Sequence, residues 1–128
     1  MGKTILCIDD SINLLQVLKK RFEFELKDVR VITADNGEDG IKLARSEKPD
    51  LIFLDINMPG MSGDEVLSVL KKRTYCAETF NTADIPIMIL TSHGPEEKSK
   101  YLSLGATDYI SSPFDTSVLV EKVRCLLL

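Results

Sequence analysis

Short apolar runs alternate with amphipathic stretches along the whole chain, and that alternation fixes the class of fold. The runs are Thr4-Ile5-Leu6-Cys7-Ile8, Val29 to Ala34, Leu51-Ile52-Phe53-Leu54, Ile87-Met88-Ile89-Leu90 and Thr107 to Ile110. Runs this short, apolar and bounded by turn residues read as strands covered on both faces. Between them, Ile12 to Leu26 repeats Leu15, Leu18, Phe22 and Leu26 at helical spacing, with Lys19, Lys20 and Arg21 on other faces. Asp10 or Ser11 is placed to cap it. Glu38 to Ser46 follows the turn residues Asp35-Asn36-Gly37 and sets Ile41 and Ala44 three residues apart. Asp64 to Arg73 is a helix built on Val66, Leu67 and Leu70. Pro95-Glu96-Glu97 opens a fourth helix, with proline in the first turn and acids near its positive end, and Gly105 stops it. Asp115 to about Leu127 aligns Leu119, Val123 and Leu126. The polar stretch Thr74 to Asp84 is longer than the usual connection.

Strand and helix thus alternate five times. This order implies a doubly wound α/β fold, a five-stranded parallel sheet with helices on both faces. A length of 128 residues fits one domain over 1–128.

Composition removes several functions. Sixteen Lys+Arg against twenty Asp+Glu leave a net charge of −4. That balance argues against nucleic-acid binding and against a polybasic membrane anchor. No apolar run approaches the roughly 20 residues a bilayer demands, and the N-terminus has no signal-peptide pattern. Cys7, Cys76 and Cys125 are odd in number and far apart. They fit reduced thiols in a cytoplasmic protein better than a disulfide frame or zinc site.

In such sheets ligands sit beyond the carboxyl ends of the strands. The first strand ends in Asp9 and Asp10 and the third in Asp55. The fourth ends in Thr91 and Ser92, the fifth in Ser111 and Ser112. Two charges about 4 Å apart at an effective dielectric of about 20 repel by roughly 4 kcal/mol. Either a carboxylate takes up a proton or a cation relieves the repulsion. Mg²⁺, a hard ion with oxygen ligands, suits that task. With it bound, a carboxylate can attack a phosphoryl group to give an acyl phosphate.

Here the sequence resembles the receiver domain of two-component response regulators, proteins of the chemotaxis-regulator, flavodoxin-like type. The residues carrying the resemblance are Asp9-Asp10, Asp55, the loop Met58-Pro59-Gly60-Met61-Ser62-Gly63, Thr91 and the stretch from Gly105 to Phe114. It covers the whole chain. It implies that Asp55 is the phosphoacceptor, supplied by a histidine kinase or phosphotransfer protein. It implies that Asp10 is a direct Mg²⁺ ligand, that Asp9 assists, and that Asn57 offers its backbone carbonyl. Thr91 matches the switch hydroxyl and Tyr109 the aromatic that turns inward as Thr91 moves. The output is then a downstream protein or an output domain outside this sequence, and the domain is a switch rather than an enzyme.

One departure stands out. Where the family has a Lys before the proline of its last loop, this chain has Ser112-Pro113. A serine carries no charge, and charge-assisted hydrogen bonds are about twice as strong as neutral ones. Phosphorylation is therefore expected to couple more weakly to Thr91 and Tyr109. His93 is a substitute cation in sequence, although an exposed loop role is the simpler reading. The resemblance also implies a cis Ser112–Pro113 bond. The competing reading is a degenerate receiver that serves as a phosphorylation-independent docking or dimerisation module. A phosphohydrolase of the haloacid-dehalogenase type would want an acid two residues after its nucleophile, and Asn57 cannot transfer protons. The apolar end Cys125-Leu126-Leu127-Leu128 suits either a pairing surface or a last helical turn packed on the sheet.

Overall fold

In the computed structural model, which describes residues 2–73, 80–113 and 115–127, each predicted strand and helix is present in the predicted order. The strands are β1 (Lys3–Ile8), β2 (Val29–Ala34), β3 (Leu51–Asp55), β4 (Ile87–Thr91) and β5 (Asp108–Ser111). The helices are α1 (Ile12–Glu25), α2 (Gly37–Glu47), α3 (Gly63–Lys71), α4 (Lys98–Ser103) and α5 (Thr116–Leu127). The strands form one parallel sheet in the order β2-β1-β3-β4-β5.

The strand residues alternate between two cores, as the two-residue period of a strand requires. Leu6, Ile8, Ile52, Leu54, Ile87 and Ile89 face α2, α3 and α4. Ile5, Cys7, Leu51, Phe53, Met88 and Leu90 face α1 and α5. An isolated helix the length of α1 is marginal in water. Its buried Leu15, Leu18 and Phe22 hold it in place, each contributing about 1.5–3 kcal/mol. The Phe22 ring stacks on Phe53 with centroids 5.3 Å apart. Ser11, Asn36 and Ser62 cap α1, α2 and α3 by accepting from Leu14, Asp39 and Glu65 N–H groups. Cys7 is an inert core residue whose thiol burial pushes upward in pKa.

Several details differ from the sequence reading. The acids Glu96 and Glu97 lie in a single 3₁₀ turn, Pro95–Glu97, and α4 proper starts only at Lys98. Gly37 begins α2 rather than belonging to the turn. A Cβ there would lie 2.6 Å from Val66 Cγ2, so the glycine lets α2 approach α3. The connection read as irregular carries a 3₁₀ turn at Thr82–Asp84; residues 74–79 lie outside the described residues. The Thr82 hydroxyl donates to the Leu70 carbonyl at 2.7 Å. The Lys71 ammonium donates to the carbonyls of Ala83 at 3.1 Å and Ile85 at 2.7 Å. These bonds tie the end of α3 to the residues that enter β4. At the C-terminus, Leu127 packs against the α1/α5 core while Cys125 and Leu126 are exposed. No helix among the described residues is long and apolar enough to cross a membrane.

Candidate functional site

The order β2-β1-β3 means the chain leaves β1 toward one edge and returns on its other side at β3. The loops after β1 and β3 therefore diverge and open a crevice between them. Asp9 follows β1, and Asp55 ends β3.

Each of these acids is fixed by its own turn. The Asp9 carboxylate accepts from the Ser11 N–H at 2.8 Å, and its backbone N–H donates to the Ala34 carbonyl at 3.1 Å. The Asp55 carboxylate accepts from the Asn57 N–H at 3.0 Å. Asp9 is buried, Asp55 half-buried and Asp10 exposed at the rim. One carboxylate oxygen from each of Asp9, Asp10 and Asp55 lies within 4.8 Å of the others. Burial pushes the Asp55 carboxyl up to about 6, with the Asn57 N–H opposing and the Asp9 and Asp10 charges reinforcing. Burial likewise raises Asp9, against the Ser11 N–H and with the Asp10 charge. Three converging carboxylates, two of them partly desolvated, with no thiol or imidazole among them suit a hard divalent ion such as Mg²⁺.

The acids open into a cleft of about 360 Å³ whose other walls include Asn57, Thr91, Ser92 and Ser112. Among the described residues that line it, none is Lys, Arg or His. The Ser112 N–H donates to the Thr91 carbonyl at 2.7 Å, which sets position 112 at the cleft wall. The Ser112–Pro113 bond is cis. His93 does not supply the missing charge: its Nδ1 lies 3.4 Å from Glu97 Oε2, and it is absent from the cleft lining. Thr91 is buried, and its hydroxyl oxygen accepts from the His93 N–H at 3.0 Å. Tyr109 is also buried, with its hydroxyl donating to the Gly94 carbonyl at 2.9 Å. Its ring is therefore turned inward beneath the 92–94 loop.

A family model, "Response regulator receiver domain", matches residues 5–124. The chain belongs to the response-regulator receiver domain family. Protein PilH of Pseudomonas aeruginosa is 35% identical over 124 residues, covering 96% of this chain and 96% of that protein. The alkaline phosphatase synthesis transcriptional regulatory protein PhoP of Bacillus subtilis is 35% identical over 128 residues, covering 99% of this chain and 49% of that protein. The chain thus spans about half the length of the transcriptional regulators it matches. Among solved structures, chemotaxis protein CheY4 of Vibrio cholerae superposes with a TM-score of 0.85 at 26% identity, covering 99% of this chain and 100% of that one. Receiver domains are signalling modules that bind Mg²⁺ through acidic residues and interact with histidine kinases or phosphotransfer proteins. The acidic crevice of this receiver domain has the donor set that such an ion requires.

Six of the residues to which the resemblance assigns a place gather at this end of the sheet. Asp9, Asp10, Asp55, Asn57, Thr91 and Ser112 share the cleft. Tyr109 lies outside its lining and reaches the β4–α4 loop through Gly94. Two features of this receiver domain were not visible in the sequence. Gly63, read as a loop residue, is the first residue of α3, and its N–H donates to the Ile56 carbonyl at 3.3 Å. A Cβ there would collide with Ile56 Cα and stand 2.5 Å from the Asp55 carbonyl oxygen. Only glycine lets α3 start against the Asp55 loop. The second feature is Tyr101, whose hydroxyl donates to Asp64 at 2.5 Å and whose ring stacks on Tyr109. A contact across 37 residues leaves no periodic signal.

Proposed function

We propose that this receiver domain accepts a phosphoryl group on Asp55 and converts that event into a change of surface through Thr91 and Tyr109. The observation that carries the reading is the convergence of Asp9, Asp10 and Asp55 within 4.8 Å at the sheet's switch point. Asp9, Asp10, Asp55 and the Asn57 backbone carbonyl would hold Mg²⁺. The ion, when bound, offsets negative charge on the acceptor and on the incoming phosphoryl oxygens. The Asn57 N–H fixes one Asp55 oxygen at 3.0 Å and leaves the other to attack. An Asp55 O–P bond forms as the donor's P–N bond to a phosphohistidine breaks, and the leaving imidazole keeps the bonding electron pair. The Thr91 hydroxyl, which accepts from the His93 N–H, then donates its proton to a phosphoryl oxygen, and Tyr109 responds on the α4–β5–α5 face.

The donor is a histidine kinase or phosphotransfer protein, and the receiver of the signal a downstream protein or an output domain. Incubation with Mg²⁺ and a small acyl phosphate tests the acceptor role. Intact-mass spectrometry should find one added phosphoryl group in the wild type and none in Asp55→Asn or under a chelator. Equal masses with and without donor would remove the reading.

Among the described residues that line the cleft none carries a cationic side chain, which favours a second reading. Ser112 leaves the phosphoryl group with a neutral partner, so the surface works largely as a phosphorylation-independent docking or dimerisation module. A partner that binds wild type and Asp55→Asn equally, with and without phosphodonor, would support it.

A further inference from the structure

We infer that Tyr101 is a positioning residue which, anchored by Asp64, holds Tyr109 in its inward orientation. The inference rests on Tyr109 being the switch aromatic, and adds what sets that switch's balance in this chain. Helix α4 is six residues long, follows a 3₁₀ turn, and buries only Tyr101. So short a helix cannot fix its own position, and Tyr101 is its anchor. Its hydroxyl donates to the Asp64 carboxylate at 2.5 Å. A phenol–carboxylate bond is charge-assisted and among the stronger kinds. The Lys100 ammonium lies 3.3 Å from the other Asp64 oxygen and over the Tyr101 ring, 5.1 Å from its centroid. It places a positive charge beside the acceptor.

The Tyr101 and Tyr109 rings stack with centroids 5.7 Å apart and planes 17° apart. The Tyr109 hydroxyl reaches Gly94, immediately before the turn that leads into α4. Tyr109 turned inward therefore touches α4's anchor with its ring and the approach to α4 with its hydroxyl. Outward rotation of Tyr109 would uncover one face of the Tyr101 ring and release Gly94. The anchor also reaches the phosphorylation loop by a route that avoids position 112. Asp64 is the second residue of α3, and Gly63 before it abuts the Asp55–Ile56 backbone. The pair thus spans from the acceptor loop to the aromatic.

Fluorine NMR of the chain labelled with 3-fluorotyrosine tests this. The Tyr109 signal is assigned by its loss in Tyr109→Phe, and its solvent isotope shift reports exposure. Tyr101→Phe keeps the ring and removes the bond; Asp64→Asn removes the charge at a half-exposed site. Without any phosphoryl mimic, each should raise the outward population of Tyr109 about fivefold, the ratio for losing one hydrogen bond of ordinary strength. The double variant should shift no further than either single one. Melting curves confirm that all three are folded. An unmoved Tyr109 signal in both single variants, or fully additive shifts in the double one, would overturn the inference. A parallel titration with Mg²⁺ and beryllofluoride addresses the phosphoacceptor reading separately. A wild type blind to beryllofluoride would sink that reading, while the mimic-free comparison still decides the role of Tyr101.

Discussion

The backbone N–H of Ser112 donates to the carbonyl of Thr91 at 2.7 Å, so the residue before the cis proline is fixed to the end of β4 beside the acidic cleft. A longer, charged side chain at 112 would start from the wall of that cleft. Ser112→Lys should therefore bind beryllofluoride with Mg²⁺ about 1 kcal/mol more tightly, about fivefold, the difference between a charged and a neutral hydrogen bond. Titration by NMR or calorimetry checks it. Unchanged affinity would mean that position 112 does not reach the phosphoryl site.

Stability of the cation-free protein should depend on Asp55 ionisation. Burial raises this carboxyl to about 6, against about 3.9 in an unfolded chain. The folded state then holds the proton longer than the unfolded one. Its stabilising contribution is complete below about pH 4, fades as pH rises through about 6, and is absent above that. Asp55→Asn, which cannot ionise, should match the wild type in acid and exceed it at neutral pH. The side chain is only half-buried, so solvent screening limits the gain to about 1–2 kcal/mol. Urea unfolding in chelator across this pH range measures it, and parallel profiles for the two proteins would contradict it. Added Mg²⁺ should stabilise the wild type more than Asp55→Asn at neutral pH.

Gly63 ties the start of α3 to the acceptor loop. A methyl group at that position would stand 2.5 Å from the Asp55 carbonyl oxygen and collide with the Ile56 backbone. Gly63→Ala should cost about 1–3 kcal/mol, the usual penalty for overpacking, and slow phosphoryl uptake by displacing Asp55. Stability and uptake measured on one preparation would show both losses. A variant with native uptake would contradict the placement.

Lys71 closes the passage from α3 into β4 by donating to two carbonyls, of Ala83 and Ile85. Lys71→Met keeps the aliphatic stem and leaves both carbonyls without this donor. The expected loss is about 1–3 kcal/mol in chemical unfolding, with phosphoryl uptake unchanged because the site is remote. A neutral effect on stability would show that water replaces the ammonium freely.

The sheet and the acidic crevice were legible in the sequence for one reason: both follow from where apolar runs stop. Leu51 to Leu54 is buried on both faces and closes on Asp55, so the strand end and the reactive acid are one signal. Asp9 and Asp10 follow β1 in the same way. The length of α4 was not legible. Pro95 and the acids after it satisfy helix-start rules, yet the chain makes a 3₁₀ turn there and α4 begins at Lys98. The inward setting of Tyr109 was hidden too, because it depends on Gly94, Tyr101 and Asp64, which only the folded chain assembles. Lys71 and Gly63 look like an ordinary helix-end cation and loop glycine until β4 and the Asp55 loop are packed against them.

Borohydride trapping decides whether Asp55 is the phosphoacceptor. The domain is incubated with Mg²⁺ and a small acyl phosphate, reduced, digested and sequenced by mass spectrometry. An aspartyl phosphate at Asp55 is reduced to homoserine, so homoserine is expected at position 55 alone, dependent on both donor and metal. Homoserine at position 9 or 10, or none at any position, would contradict it.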